Sequence, residues 1–338
     1  MNKITIGVIG AGRIGKLHTG NIVKHLPQFY IKTIADPQID EAWATSKGIP
    51  NITRDVNAIF QDEQIQAVVI CSPSPQHAPQ IIEAARAGKH IFCEKPISTD
   101  IDLIKTALQE VKKTGVKLQI GFNRRFDPNF AKIKTMLQEN NIGTPHLLRI
   151  TSRDPKIPPT EFLKTSGGMF IDMTIHDFDM ARFLMNSEID EIYASANVLI
   201  NPVFQECDDI DTAVINLKFA NGTLGVIDNS RQAVYGYDQR VEVFGSHGAV
   251  HADNNKPTNT TLSTNDGIIS EKPLYYFLER YEESFVAELA AFYHCMANNT
   301  EPAVTGEDGL RSVIVSMAAE QSRRENRPVK IDYEKWSN

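Results

Sequence analysis

Apolar and polar positions alternate in blocks along the first third of the chain. Ile4 to Ile9 is a short apolar run, and directly after it Ile14, Leu17, His18 and Ile22 fall at helical spacing. A strand therefore turns into a helix. Tyr30 to Ala35 reads as a second strand. Ala67 to Cys71 is a continuous apolar run of the kind buried in a parallel sheet, followed by a helical stretch from Ala78 to Ala87 that Gly88 ends. His90 to Cys93 predicts another strand with Glu94-Lys95-Pro96 as its exit. A helix from Thr99 to Thr114 follows, with Thr99 and Asp102 as its capping pair. Lys117 to Phe122 completes the alternation, which predicts a doubly wound parallel sheet with right-handed crossovers in a first domain, residues 1–122.

The pattern changes in residues 123–338. Pro128 to Glu139 and Asp172 to Met185 have helical spacing, but then strand-like runs follow one another: Ile192 to Val198, Thr212 to Phe219, Thr223 to Ser230, Arg240 to Phe244 and Ala249 to Ala252. Asn221-Gly222 between two of them is a hairpin signal. Consecutive strands predict an α+β domain with a large, mostly antiparallel sheet and helices on one face. Tyr281 to Met296 and Gly309 to Asn326 read as closing helices, the second with Thr305 and Asp308 as a capping box. An apolar outer face on that sheet would make it an oligomer interface.

Composition narrows the classes. The chain has 338 residues, 41% hydrophobic and 23% charged, which is room for two domains. A net charge of -7 speaks against nucleic acid or an acidic membrane as the main partner. The N-terminus shows no basic-then-apolar signal and no stretch is apolar enough to span a bilayer, so a cytoplasmic location is expected. Cys71, Cys93, Cys207 and Cys295 are scattered without a C-x-x-C, which suggests neither a disulfide frame nor a cysteine zinc site. Cys71 and Cys93 lie in apolar runs and are expected to be buried packing thiols.

Three stretches carry candidate chemistry. Gly10-Ala11-Gly12-Arg13-Ile14-Gly15 sits between the first strand and helix, as in the Rossmann dinucleotide fingerprint. The first glycine allows the turn, the second admits a pyrophosphate to the backbone, and the third lets helix and strand pack closely. Free amides at the helix start favour an anion. Asp36 ends the second strand, where a carboxylate takes ribose hydroxyls and repels a 2'-phosphate. Pro37 and Gln38 bring no offsetting cation, so NAD is expected rather than NADP. Ser72, Pro73 and His77 lie at the C-terminal end of a sheet strand, where such sheets bind ligands, although a proline-rich loop with a capping serine fits His77 equally.

Glu94-Lys95-Pro96 is the second stretch. A lysine at a strand's C-terminal end can donate to a reacting oxygen and stabilise negative charge; alone it would be an ordinary solvated lysine. The third runs from Gly167 to Asp179. Asp172 and His176 are four apart and share a helix face, so the carboxylate can orient an imidazole that acts as general base. A structural helix with polar surface residues fits the spacing as well. Metal binding is a rival, but no further ligand cluster accompanies these residues.

Together, the glycine loop, Glu94-Lys95-Pro96, and an aspartate four before a histidine resemble the glucose-fructose oxidoreductase and inositol dehydrogenase family, Gfo/Idh/MocA, over nearly the whole chain. Gly121 to Asp127, Ser152 to Pro155 and Gly167 to Arg182 look most like the inositol 2-dehydrogenases of that family. The resemblance implies oxidation of a cyclic polyol in inositol catabolism, myo-inositol or scyllo-inositol going to the 2-keto product, with NAD as acceptor and no metal. It implies His176 as base, Asp172 binding or orienting a neighbouring group, and Lys95 bonding the reacting or an adjacent oxygen. It makes Asn123, Arg124, Asp154 and Tyr237 candidate readers of ring hydroxyls, with Asn123 a possible isomer selector. Gly10, Ala11, Gly12, Arg13, Ile14, Asp36, Ser72, Pro73, His77, Glu94 and Lys95 would line the cofactor, and a homotetramer would form through the second sheet. Other enzymes of this fold dehydrogenate aldoses or cleave glycosides with tightly held NAD, and a non-catalytic nucleotide binder needs none of Lys95, Asp172 and His176.

Overall fold

The computed structural model describes residues 3–334. It divides into two units, the first comprising residues 3–123 and 283–313, the second 124–282 and 314–334.

In the first unit six strands, β1 (Ile4–Ile9), β2 (Phe29–Ala35), β3 (Asn51–Thr53), β4 (Ala67–Ile70), β5 (His90–Glu94) and β6 (Leu118–Gly121), form one sheet in the order β3-β2-β1-β4-β5-β6. Every pairing is parallel. The order reverses at β1, so the loops leaving β1 and β4 flank the switch point where ligands of such sheets bind. Ile6, Val8, Ile34, Val69 and Phe92 build the core, joined by Leu289, Phe292 and Tyr293 of the helix Glu282–Asn298. That apolar helix face explains why residues 283–313 pack with the first unit, where sequence reasoning placed everything from 123 to 338 in the second. The helix Ile101–Thr114 is capped by Asp100, which accepts from the amides of Asp102 and Leu103, one residue beyond the expected Thr99.

The second unit holds β7 (Pro145–Arg153), β8 (Ile189–Asn197), β9 (Thr212–Phe219), β10 (Leu224–Ser230), β11 (Asp238–Gly245), β12 (Gly248–Ala252) and, after a small hairpin of β13 (Thr261–Thr264) and β14 (Gly267–Ser270), β15 (Val329–Lys330). The large sheet runs β12-β11-β7-β10-β9-β8-β15, and its pairings are antiparallel except β7 with β10. Gly222 takes a φ of 86° in the turn between β9 and β10, the left-handed conformation that its hairpin requires. The register puts Val214, Leu224 and Phe244 on one face, all exposed, among ion pairs such as Arg149 with Glu242. Leu148, Ile215, Ile227 and Val243 on the opposite face are fully buried. The capping box forms as expected: Thr305 N–H donates to Asp308 Oδ2 at 2.9 Å, and Asp308 N–H to Thr305 Oγ1 at 3.2 Å.

Candidate active site

Backbone builds the site in the first unit. Gly10 has a φ of 93°, and a Cβ there would lie 2.6 Å from the Cys71 and Ser72 main chain. A Cβ on Gly15 would lie 2.0 Å from the Gly10 carbonyl oxygen, so helix and turn touch directly. Among the described residues nothing stands within 4 Å of a Cβ built on Gly12, the residue that precedes the helix Arg13–His25, and no side chain caps that helix start. The open cradle with helix amides fits a dinucleotide's pyrophosphate. Asp36 lies beside it, its Oδ2 accepting from Ala11 N–H at 2.6 Å and its Oδ1 from Gln38 N–H at 2.7 Å.

The neighbouring strand ends are tied together. His77, 2% exposed, contacts the Pro96 carbonyl through Nδ1 at 2.7 Å and the Ser72 carbonyl through Nε2 at 2.8 Å. Burial pushes the imidazole pKa down, and the two carbonyls pull it back up. The ring thus clasps the exit of β4 to the residue after Lys95, while Ser72 Oγ donates to Gln80. Lys95 follows β5 directly and is half-buried, next to Glu94, whose Oε1 lies 2.6 Å from His18 Nε2. His18, Glu94 and Glu288 place one ligand atom each within 4.8 Å, the cluster of this kind among the described residues. A tetrahedral ion with ligands at about 2.1 Å holds them about 3.4 Å apart, so the shorter His18–Glu94 contact has the geometry of a direct hydrogen bond. Glu288 is fully buried, and burial together with the charge of Glu94 pushes its carboxyl well above the usual range.

Paired charges build the site in the second unit. Arg124, 5% exposed, donates through Nη1 to Asp177 Oδ1 at 2.6 Å and to Ser152 Oγ at 3.3 Å. Asp177 Oδ2 accepts from Asn229 Nδ2 at 3.0 Å. Burial raises the Asp177 carboxyl, and the Arg124 guanidinium opposes that rise. Arg231 donates through Nη1 to Asp172 Oδ2 at 2.9 Å and Asp154 Oδ2 at 3.2 Å. Burial raises Asp154 as well, against the pull of Arg231. Tyr237 and Tyr281 meet edge to face with centroids 6.0 Å apart. Burial pushes both phenols up, Tyr281 to about 12.

Asp172 lies in a π-turn, Phe170–Thr174, that leads into the helix Ile175–Met185 carrying His176. Insertions of this kind are frequent at functional sites. Gly167 and Gly168 precede the turn with φ of 82° and 83°. What approaches them is Asp209: its Oδ1 would sit 3.2 Å from a Cβ on Gly168 and accepts from Met169 N–H at 2.8 Å.

The second unit thus gathers Arg124, Asp154, Asp172 and Tyr237 from separate elements into one electrostatic network, with Asp172 in the turn that leads into the helix carrying His176. Asn123 belongs to the first unit, where its amide donates to Ser284 Oγ at 3.0 Å. Sequence reasoning did not single out Arg231, Tyr281, Asn229 or Asp209. Asn229 and Arg231 reach Asp177 and Asp172 only through the end of β10 and its sheet register, while Tyr281 and Asp209 come from connecting segments far away in sequence.

Comparison with known proteins shows the family of the chain. Residues 4–122 match the model of an oxidoreductase family with an NAD-binding Rossmann fold, and residues 130–251 match the GFO/IDH/MocA C-terminal domain. The oxidoreductase YrbE of Bacillus subtilis is 53% identical over 98% of this chain and 97% of its own. The myo-inositol 2-dehydrogenase of Thermotoga maritima is 44% identical over 97% of this chain and 98% of its own. Among solved structures, scyllo-inositol dehydrogenase from Lactobacillus casei with bound NAD(H) and scyllo-inositol superposes with a TM-score of 0.92 at 31% identity, covering 98% of this chain and 99% of its own.

Proposed function

Given that the chain belongs to the Gfo/Idh/MocA oxidoreductases and is an NAD-dependent enzyme, we propose that it oxidises a ring hydroxyl of myo-inositol or scyllo-inositol to the ketone. The observation that carries this reading is the near-full-length likeness to inositol 2-dehydrogenases. The charged network of the second unit supports it, because a polyhydroxylated ring needs many fixed donors and acceptors, and such sites discriminate strongly by hydroxyl pattern.

In this reading His176 takes the proton of the reacting hydroxyl, and Asp172 orients the imidazole or binds the adjacent hydroxyl. Lys95 donates to the reacting oxygen and stabilises charge that develops there. Arg124, Asp154 and Tyr237 read the remaining hydroxyls, and Asn123 acts on isomer choice. The bound NAD supplies the hydride acceptor. Asp36 holds its ribose, the turn from Gly10 to Ile14 its pyrophosphate, and the strand ends at Ser72, Pro73, His77 and Glu94 frame the rest. A homotetramer assembled through the face bearing Val214, Leu224 and Phe244 completes the proposal; native mass spectrometry would show a monomer if it is wrong.

The test is NADH formation at mildly alkaline pH, where the base starts unprotonated, with myo-inositol, scyllo-inositol, D-chiro-inositol, glucose and xylose offered separately. NADH from an inositol with little from the aldoses is expected. Signal mainly from aldoses would move the substrate, and none from any of them would end the dehydrogenase reading.

A further inference from the structure

Arginine is costly to bury unless its charge and its N–H groups are matched. Most partly or fully buried arginines of the second unit achieve this with a fork onto one carboxylate. Arg125 reaches Asp179 through Nε at 2.8 Å and Nη2 at 2.6 Å, Arg153 reaches Asp228 through Nε at 2.7 Å and Nη2 at 2.8 Å, and Arg182 reaches Glu188 through Nε at 2.7 Å and Nη2 at 3.0 Å. Such forks fix two partners and serve packing.

Arg231 is different. Its side chain is 2% exposed, yet one nitrogen, Nη1, serves two carboxylates, Asp172 and Asp154, while Nε and Nη2 are buried with no hydrogen-bond partner among the described residues. The arrangement does not saturate the guanidinium. It joins two acidic side chains from separate elements, Asp154 at the exit of β7 and Asp172 in the π-turn. The backbone beneath the link is fixed. Arg231 N–H donates to the Asp211 carbonyl at 2.8 Å, and the Asp211 carboxylate in turn accepts from the amides of Leu199, Ile200 and Asn201. On either side of Arg231, Asp154 N–H donates to the Ser230 carbonyl at 2.9 Å and the Asp154 carbonyl accepts from Ala233 N–H at 2.6 Å.

We infer that Arg231 is a positioning residue that holds Asp154 and Asp172 as a rigid pair of anionic acceptors for two ring hydroxyls, and so sets which stereoisomer is oxidised. The inference rests on the polyol reading above and deepens it. Two carboxylates left to themselves would repel and turn apart, and in a buried setting one would take up a proton and become a donor. A shared cation opposes both outcomes. Two acceptors fixed relative to one another fit two hydroxyls in one relative configuration; inverting one hydroxyl leaves a carboxylate without its donor. Asp209, the remaining carboxylate whose charge acts on Arg231, is already engaged by the Met169 and Ile210 amides and is not part of the pair.

The experiment compares wild type, Arg231→Met, Arg231→Lys, Asp154→Asn and the Arg231→Met/Asp154→Asn double variant on myo-, scyllo- and D-chiro-inositol, with NAD affinity and Tm measured alongside. Arg231→Met is expected to lower kcat/KM on the preferred isomer about 100-fold and to cut its preference over the next isomer about tenfold, with NAD affinity changed by less than about threefold. Arg231→Lys, which keeps the cation, restores most of the preference. If Arg231 acts through Asp154, the double variant loses little more than the worse single variant. Should Arg231→Met not fold, the same cycle with Arg231→Gln, which also removes the charge but keeps a hydrogen-bonding side chain, reads the coupling, and independent losses there would overturn the inference. Equal losses on every isomer, with the preference intact, would also overturn it and leave Arg231 a packing residue. Wild type inactive on all three isomers would instead overturn the polyol reading and this inference with it.

Discussion

The two units make their sites from different materials. In the first, glycines and main-chain amides form the cradle: Gly10 and Gly15 admit no Cβ, and Gly12 leaves open space before a helix start. In the second, the site consists of long charged side chains paired across strands and helices: Arg124 with Asp177, and Arg231 with Asp154 and Asp172. The buried acids follow the same division. Burial and the charge of Glu94 push the Glu288 carboxyl of the first unit well above the usual range, with no arginine beside it among the described residues, whereas Asp177 and Asp154 of the second unit's network each meet a guanidinium. A backbone cradle serves a cofactor common to many enzymes. A charged side-chain network can be rewritten one residue at a time, and that suits it to choosing a substrate.

The sharpest way to break this division is to remove the proposed chemistry. His176→Ala and Lys95→Ala are each expected to lower kcat by about a thousandfold while NAD affinity holds within about threefold, measured by steady-state kinetics and NAD titration. Loss of NAD binding in either would place that residue in the cradle instead. Gly10→Ala attacks the cradle itself: the φ of 93° and the contact with the Cys71 and Ser72 main chain leave a side chain no room. NAD affinity should fall about tenfold or more with a lower Tm, through strain at a left-handed position. An unchanged affinity would mean the turn is not the pyrophosphate site.

Smaller effects refine the comparison. Asp36→Ser should reduce the preference for NAD over NADP about tenfold, read as the ratio of kcat/KM for the two cofactors, because a carboxylate no longer faces the 2'-phosphate. Glu288→Gln should raise Tm by about a few degrees at pH 8. The sign follows from its raised pKa: above the unfolded value of about 4.3 the unfolded chain releases a proton that the folded chain keeps, so stability falls as pH rises. The gain should vanish below about pH 4, and a variant equally less stable at both pH values would contradict a neutral Glu288.

Much of the fold could be read from the sequence because it is locally encoded. The glycine spacing, the apolar run from Ala67 to Cys71 and the hairpin at Asn221-Gly222 each announce their structure within a few residues. The Thr305–Asp308 box is of the same kind. The cap at Asp100 shows the limit of such reading, since Thr99 and Asp100 are both good caps and only the backbone conformation chooses between them. The return of residues 283–313 to the first unit had no local mark, because Leu289 and Phe292 are simply a helix's apolar face until a sheet is there to receive them. Arg231 and Asp209 were silent for a related reason. A buried charge is defined by its partners, and these lie far away in sequence.

The central claim, that the backbone cradle holds NAD while the second unit selects and deprotonates a ring hydroxyl, is tested most directly by following hydrogen. The enzyme is given NAD and the inositol isomer it oxidises, deuterated at every ring carbon, and the reduced cofactor is examined by mass spectrometry. The account predicts one deuterium in each reduced cofactor formed and an equal amount of keto-inositol. Reduced cofactor without deuterium, or deuterated inositol consumed with no reduced cofactor released, would contradict it.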